Sequence, residues 1–138
     1  MNSYLAVVLL AATLGPAQER FGAENQRLKG FAKSPTEHVM NEHPGVISVR
    51  VLQGRITEEG SKTGVPGALV EVRKADPDAK VQGATSDGIG RFRLRKVLEG
   101  EYVFKVTRDG FQSVFGRVRV SKHAPSDARF DIDLRQGV

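Results

Sequence analysis

Apolar and polar side chains alternate at every second position along most of the chain after residue 45. In residues 101–107, for example, Tyr102, Phe104 and Val106 share one face, and more polar residues such as Lys105 share the other. This period is typical of β-strands that pack one side on a core and expose the other to water. It predicts about seven short strands, at residues 48–56, 68–73, 80–84, 91–95, 101–107, 114–120 and 129–135.

Turn sequences separate these segments. Asp87-Gly88-Ile89-Gly90 is typical of a tight hairpin, and Gly100 and Gly110 each follow an acidic residue at a further corner. Glycine lets the chain reverse there at low steric cost. We therefore predict an all-β fold, an antiparallel sandwich of two packed sheets. Its predicted interior includes Phe92, Phe104 and Phe130.

The first 45 residues do not share this pattern. Residues 5–14 are apolar apart from one threonine, a length that fits the hydrophobic region of a secretory signal and is too short to span a bilayer. Gly15-Pro16-Ala17 supplies the small residues of a cleavage site. We predict a signal peptide at 1–17, a flexible polar linker at 18–45 and a domain at 46–138. Because residues 1–4 carry no lysine or arginine, a buried or frayed N-terminal helix is the alternative.

The composition excludes several chemistries. The chain has no cysteine, which excludes disulfides, thiolate metal sites, a cysteine nucleophile and a lipid-modified cysteine. His38, His43 and His123 form no H-x-x-E pair of the kind that a zinc peptidase needs, and no G-x-S-x-G motif occurs. Asp76, Asp78 and Asp87 could contribute to a calcium site, but aspartates in turns more often bond their own backbone. We predict no catalytic residue, no metal and no cofactor.

Three motifs, in order, resemble those of the carboxypeptidase regulatory-like domain family. They are Gly54–Thr57 with Gly64–Val72, then Ser86–Leu94, then Leu98–Val106 with Gly110-Phe111. Ser86 stands where threonine is usual, and Glu99 where proline is usual. The structural positions of the resemblance are Gly67, Ala68, Asp87, Gly90, Phe92, Gly100, Tyr102, Gly110 and Phe111. The resemblance implies a transthyretin-like sandwich of about seven strands with Greek-key character.

The resemblance also implies an accessory role. Similar domains follow metallocarboxypeptidases, precede outer-membrane nutrient receptors or stand alone in exported bacterial proteins, and a carbohydrate-binding label often accompanies the fold. We expect a non-catalytic module that acts in binding, adhesion or structure, secreted or periplasmic, without a membrane span after signal cleavage. The alternatives are a carbohydrate-binding module and an accessory subunit of a carboxypeptidase or nutrient receptor. The expected partner is a polysaccharide or an envelope protein, although fold alone does not carry function.

Two surface features are candidate binding sites. The formal net charge of +5 comes entirely from residues 46–138, and Arg91, Arg93 and Arg95 lie on the polar side of one strand, with Lys96 beyond. They predict an anion-binding ridge, or else a charged edge that discourages aggregation. Phe115 faces away from the core and is predicted to form an exposed apolar contact point. Nucleic acid is a disfavoured partner because of export and the lack of exposed stacking aromatics.

Overall fold

The computed structural model describes residues 28–37 and 39–137, and this part of the chain forms eight strands and no helix. The all-β prediction is confirmed, with one strand more than the pattern predicts. The strands are β1 (Asn41–Val49), β2 (Leu52–Glu58), β3 (Leu69–Lys74), β4 (Gln82–Thr85), β5 (Arg91–Leu94), β6 (Gly100–Thr107), β7 (Val114–Val120) and β8 (Ile132–Leu134).

Two sheets enclose one apolar core. The larger has the order β1-β7-β6-β3-β4, and the smaller has the order β5-β2-β8. The core contains buried side chains of both sheets, and Phe92, Phe104 and Phe130 meet in it as predicted. The ring of Phe130 contacts those of Phe92 and Phe104 edge to face, at centroid distances of 5.7 and 4.7 Å. Such contacts stabilise a core beyond the burial of apolar area.

The strand pairing differs from the prediction in two places. β1 pairs with β7 in parallel, and β2 pairs with β8 in parallel, so the sandwich is not wholly antiparallel. The single strand predicted at residues 48–56 is also two strands, because the chain passes from the larger sheet to the smaller at residues 50–51. Alternation assigns side chains to faces but contains no information on the partner strand.

Residues 28–37 lie across the outer face of the five-stranded sheet, and we call this segment the strap. Leu28, Phe31 and Ser34 are buried in it, and β1 begins shortly afterwards at Asn41. The prediction of a flexible linker at residues 18–45 is therefore wrong for residues 28–37 and 41–45. The predicted signal at residues 1–17 lies outside the described residues. Within the described residues, no helix is long and apolar enough to cross a membrane.

Candidate anion-binding face

The predicted arginine ridge lies on an edge strand. β5 is the first strand of the three-stranded sheet, and its Phe92 and Leu94 point into the core. Arg91 and Arg93 alternate with them and are exposed, and Arg95 is exposed directly after the strand. The alternation therefore places all three guanidinium groups in solvent on the polar side of the edge.

Other segments bring further basic groups to this edge, around two adjoining concavities that share Arg93. The larger, of about 580 Å³, also contains Arg91 and Arg129, and the smaller, of about 300 Å³, contains Arg50 and Lys96. We call the basic residues of this surface the basic face, and they are Arg50, Arg91, Arg93, Arg95, Lys96 and Arg129.

Within residues 28–37 and 39–137, most of the charge on the basic face is not neutralised by ion pairs. Four of these cations form no ion pair with any described residue: Arg91, Arg93, Arg95 and Lys96. Arg129 lies 3.7 Å from Asp131, in an exposed pair that contributes little. Like charges held close together repel, and an anion bound between them would relieve that repulsion.

Asp87 is the acidic residue on the larger concavity, and its carboxylate is already used by the turn. Its Oδ1 accepts the backbone N–H groups of Ile89 and Arg91, at 3.1 and 2.9 Å. In a second turn, Asp76 Oδ1 accepts the N–H of Asp78 at 2.9 Å. Both aspartates thus hold turns together, and no acidic or histidine cluster that could hold a metal ion occurs in the described ranges.

Phe115 occupies the outer face of the five-stranded sheet, as its alternation with Val114 predicts, but it is not exposed. The strap covers it, and only 1% of the residue is accessible. Its ring packs in a small apolar cluster with Leu28 and Phe31 of the strap and with Val103 of β6. The prediction of an exposed contact point at Phe115 is therefore wrong, because the side chain already has an intramolecular partner.

Charged side chains of the sheet hold the strap by its backbone. Lys105 Nζ on β6 donates to the carbonyl oxygen of Ala32 at 2.7 Å, and Glu71 Oε1 on β3 accepts the N–H of Ala32 at 2.9 Å. Arg73, also on β3, donates to the carbonyl of Lys29. Because both backbone groups of Ala32 form hydrogen bonds, the sheet holds the strap by its backbone as well as by its side chains.

Two side chains of the strap add specific contacts. Glu37 accepts a hydrogen bond from the hydroxyl of Ser113 and forms an ion pair with Lys105 at 2.9 Å. The ring of Phe31 lies 5.0 Å from the guanidinium carbon of Arg73, a favourable cation–π distance. Arg73 and Lys105 are only 1% and 2% accessible, so the strap removes two cations from water while supplying their partners.

The residues of the sequence motifs have structural roles. Gly67, Gly90, Gly100 and Gly110 all have positive φ, and Ala68 is buried in the core. The Ser86 hydroxyl bonds the carbonyl of Val65 at 2.6 Å and the N–H of Ala68 at 2.8 Å, which a threonine hydroxyl could also do. Tyr102 is buried and donates to the carbonyl of Leu98 at 2.6 Å, and Phe111 packs half-buried against the core.

The family model of the carboxypeptidase regulatory-like domain matches residues 51–135. The chain belongs to this family. No curated protein matches it. Among solved structures it is similar to the crystal structure of chlorocatechol 1,2-dioxygenase from Pseudomonas putida, with 11% identity and a TM-score of 0.42, over 98% of this chain and 82% of that chain.

The carboxypeptidase regulatory-like domain includes most of the basic face but not the strap. Arg91, Arg93 and Arg95 lie within the match, whereas the strap and β1 precede it. Lys105 and Glu71, the sheet residues that hydrogen-bond the backbone of the strap, lie within the match. The contact therefore joins the family domain to a segment that the family model does not include.

The strap contact shifts the pKa values of two carboxylates in opposite directions. Burial alone would raise the pKa of Glu37, but hydrogen bonds from Ser113 and Lys105 outweigh it and lower that pKa. Burial raises the pKa of Glu71, against the hydrogen bond from Ala32 and the charge of Lys105. Ionised Glu37 thus stabilises the folded protein, whereas the burial of Glu71 opposes its ionisation.

This arrangement predicts how acid weakens the strap. A lowered carboxyl pKa gives stability that is present above the unfolded value, near 4.3, and is lost as the pH falls through the lower folded value. Glu37→Gln should therefore be less stable than the wild type at neutral pH by about 1 kcal/mol, allowing for solvent screening. The difference in stability should vanish below the pKa of Glu37 in the folded protein. Glu71 is present in both proteins, so its titration does not contribute to the difference.

Urea denaturation of both proteins across the acidic range measures this difference. A gap between the two proteins that stays constant down to the lowest pH would contradict the assignment of Glu37 as the stabilising carboxylate.

The remaining sequence predictions concern ion pairs and histidines. Alternation would let Arg117 and Arg119 face Asp131 and Asp133 if the last two strands paired with each other, but β8 lies beside β2 rather than β7. Arg119 pairs instead with Glu101 on the neighbouring strand, and Asp133 pairs with Lys62. His38 lies outside the described residues.

The other two histidines belong to no group of side chains, among the residues described, that could hold a metal ion. His43 packs edge-on against Phe104, with centroids 6.3 Å apart, and its Nδ1 has no partner in the described part of the chain. His123 is exposed. Neither arrangement resembles a metal site.

Proposed function

We propose that the chain is a non-catalytic binding module that acts outside the cytoplasm and binds an acidic polysaccharide on its basic face. The observation that carries this proposal is the set of exposed cations along β5 and directly after it, which have no ion pair in the part of the chain that the structure describes. Its shallow concavities, of about 580 and 300 Å³, suit an extended chain with several charges better than a single enclosed ligand.

Binding of neutral sugars is less well supported. Such sites usually present an exposed aromatic ring, and no Phe or Tyr ring is exposed among the described residues. Phe115, the expected platform, is covered by the strap. Charge is therefore the recognition chemistry that the surface offers, and binding should weaken as salt increases.

The test removes three charges from the basic face while keeping the aliphatic stems. Arg91→Gln/Arg93→Gln/Arg95→Gln should bind heparin or polygalacturonate about 10- to 100-fold more weakly, because three exposed charge contacts contribute about 0.5–1 kcal/mol each. Affinity and its salt dependence are measured by isothermal titration calorimetry. Size-exclusion chromatography checks that the less charged edge strand does not aggregate.

The matched control is Arg117→Gln/Arg119→Gln/Lys122→Gln, which removes the same charge from exposed positions elsewhere. It should keep most of the affinity. Equal weakening by both triple variants would show that net charge alone attracts the polymer, and would contradict a site on the basic face.

The proposal of export rests on the apolar run at residues 5–14. We expect the protein from fractionated bacterial cells to be found outside the cytoplasm with Gln18 as its first residue. Full-length protein that begins at Met1 and stays in the cytoplasmic fraction would contradict export.

A further inference from the structure

The outer face of the five-stranded sheet has the chemistry of a peptide-binding site. Its buried Glu71 and Lys105 bond both the N–H and the carbonyl of one strap residue, Ala32. Hydrogen bonds from side chains of a sheet to a peptide backbone can hold a segment that lies across the sheet without pairing as an additional strand. A purely apolar cover would not need them.

The same face also distinguishes one peptide from another. The aromatic ring of Phe31 fits between Arg73 and the apolar Val103 and Phe115. Six residues later, Glu37 meets Lys105 and Ser113. The pattern that the face recognises is therefore an aromatic residue followed at this interval by a carboxylate.

The strap lies outside the part of the chain that matches the family. It precedes the family match at residues 51–135, and only residues 38–40 connect it to β1. Every copy of the chain carries both the peptide and the face that binds it. Segments of this kind can exchange between copies, because the contacts in the exchanged and unexchanged forms are the same.

We propose that this face is a peptide-binding site, filled here by the strap of the same chain, and that the strap of a second copy can fill it instead and so link two molecules. The occupant is a second copy because the strap is a sequence whose fit to this face is shown contact by contact. This inference does not depend on polysaccharide binding, which uses the other sheet.

A complementation experiment with full-length chains tests the proposal. The acceptor copy carries Phe31→Ala/Glu37→Gln, which weakens its strap and leaves its face intact. The donor copy carries Lys105→Met, which damages its face and leaves its strap intact. Each alone should be monomeric, and an equimolar mixture should form a 1:1 dimer in analytical ultracentrifugation.

A synthetic peptide of residues 28–37 gives a second measurement. It should bind the acceptor copy at least about tenfold more tightly than the wild type, whose own strap competes. The same peptide with Glu37→Gln should bind about tenfold more weakly than the unaltered peptide, because the contact with Lys105 is lost. Circular dichroism confirms folding, and Glu37→Gln alone serves as the acceptor if the double variant unfolds.

Two results would overturn the proposal. If the peptide does not bind the folded acceptor copy, the face is not a peptide site. If the peptide binds but the mixed copies stay monomeric, a second copy is not the occupant. Equal heparin binding by the two triple variants would contradict the proposed function but would change neither of these results, so failure of this inference and failure of the proposed function are distinguishable.

Discussion

Replacing Phe115 with alanine is expected to destabilise the protein by about 3–5 kcal/mol, the usual cost of removing a buried phenylalanine ring. The ring lies between the sheet and the strap and touches Leu28, Phe31 and Val103. Removal of the ring leaves a cavity between the sheet and the strap. The strap then loses an apolar contact and should loosen as well. Urea denaturation measures the stability, and hydrogen exchange at the N–H of Ala32 measures the strap.

Two further variants make this prediction specific. Leu98→Ala shortens a side chain that is 78% accessible and should change stability by no more than about 0.5 kcal/mol. Phe115→Leu keeps an apolar group in the cavity and should cost clearly less than the alanine variant. If Phe115→Ala and Leu98→Ala had equal effects, the ring would have to be exposed, as the sequence alone predicts.

Phe115 shows what the alternation of apolar and polar residues can predict and what it cannot. The period of two assigns Phe115 to the outer face correctly, because successive side chains in a strand point to opposite sides. It does not show what covers that face. Leu28 and Phe31 hold no sustained period, so their burial depends on a contact distant in sequence. The sequence does contain one indication that this face is covered, because two residues on it, Phe115 and Val103, are apolar.

The buried charges under the strap were missed for a related reason. Lys105 and Arg73 alternate with core residues, which normally indicates contact with water. Their burial becomes acceptable only when Ala32, Glu37 and the ring of Phe31 supply partners. Local sequence cannot show those partners, because the residues of the strap and the sheet residues that contact them lie 39 to 73 positions apart in the chain.

The basic face was predictable in part. Alternation in β5 predicts the exposure of Arg91 and Arg93, and the structure agrees. The contributions of Arg50 and Arg129 could not be predicted, because they depend on how β5, β2 and the segment before β8 come together. Parallel pairing of β2 with β8 brings that segment to this surface.

Gly90 lies in the turn before β5, and replacing it with alanine should destabilise the protein by about 3 kcal/mol or more. Gly90 has φ of +86°, which costs a residue with a side chain about 1–2 kcal/mol. A Cβ there would also lie 2.3 Å from the carbonyl oxygen of Ile56, and relieving that overlap typically costs about 1–3 kcal/mol. The N–H of Ile56 donates to the carbonyl of Gly90 at 2.7 Å, so the backbone cannot easily move away.

Gly88→Ala is the matched control, because it lies in the same turn and an added Cβ would meet no atom within 4 Å. It should change stability by no more than about 0.5 kcal/mol. Thermal and urea denaturation of both variants measure the contrast, and equal effects would contradict the role of close packing at Gly90. Because Asp87 fixes the N–H of Arg91 in this turn, a displaced turn should also move the first arginine of the basic face. Any folded Gly90→Ala protein should therefore bind heparin more weakly than Gly88→Ala does, which links the packing of one glycine to the proposed function.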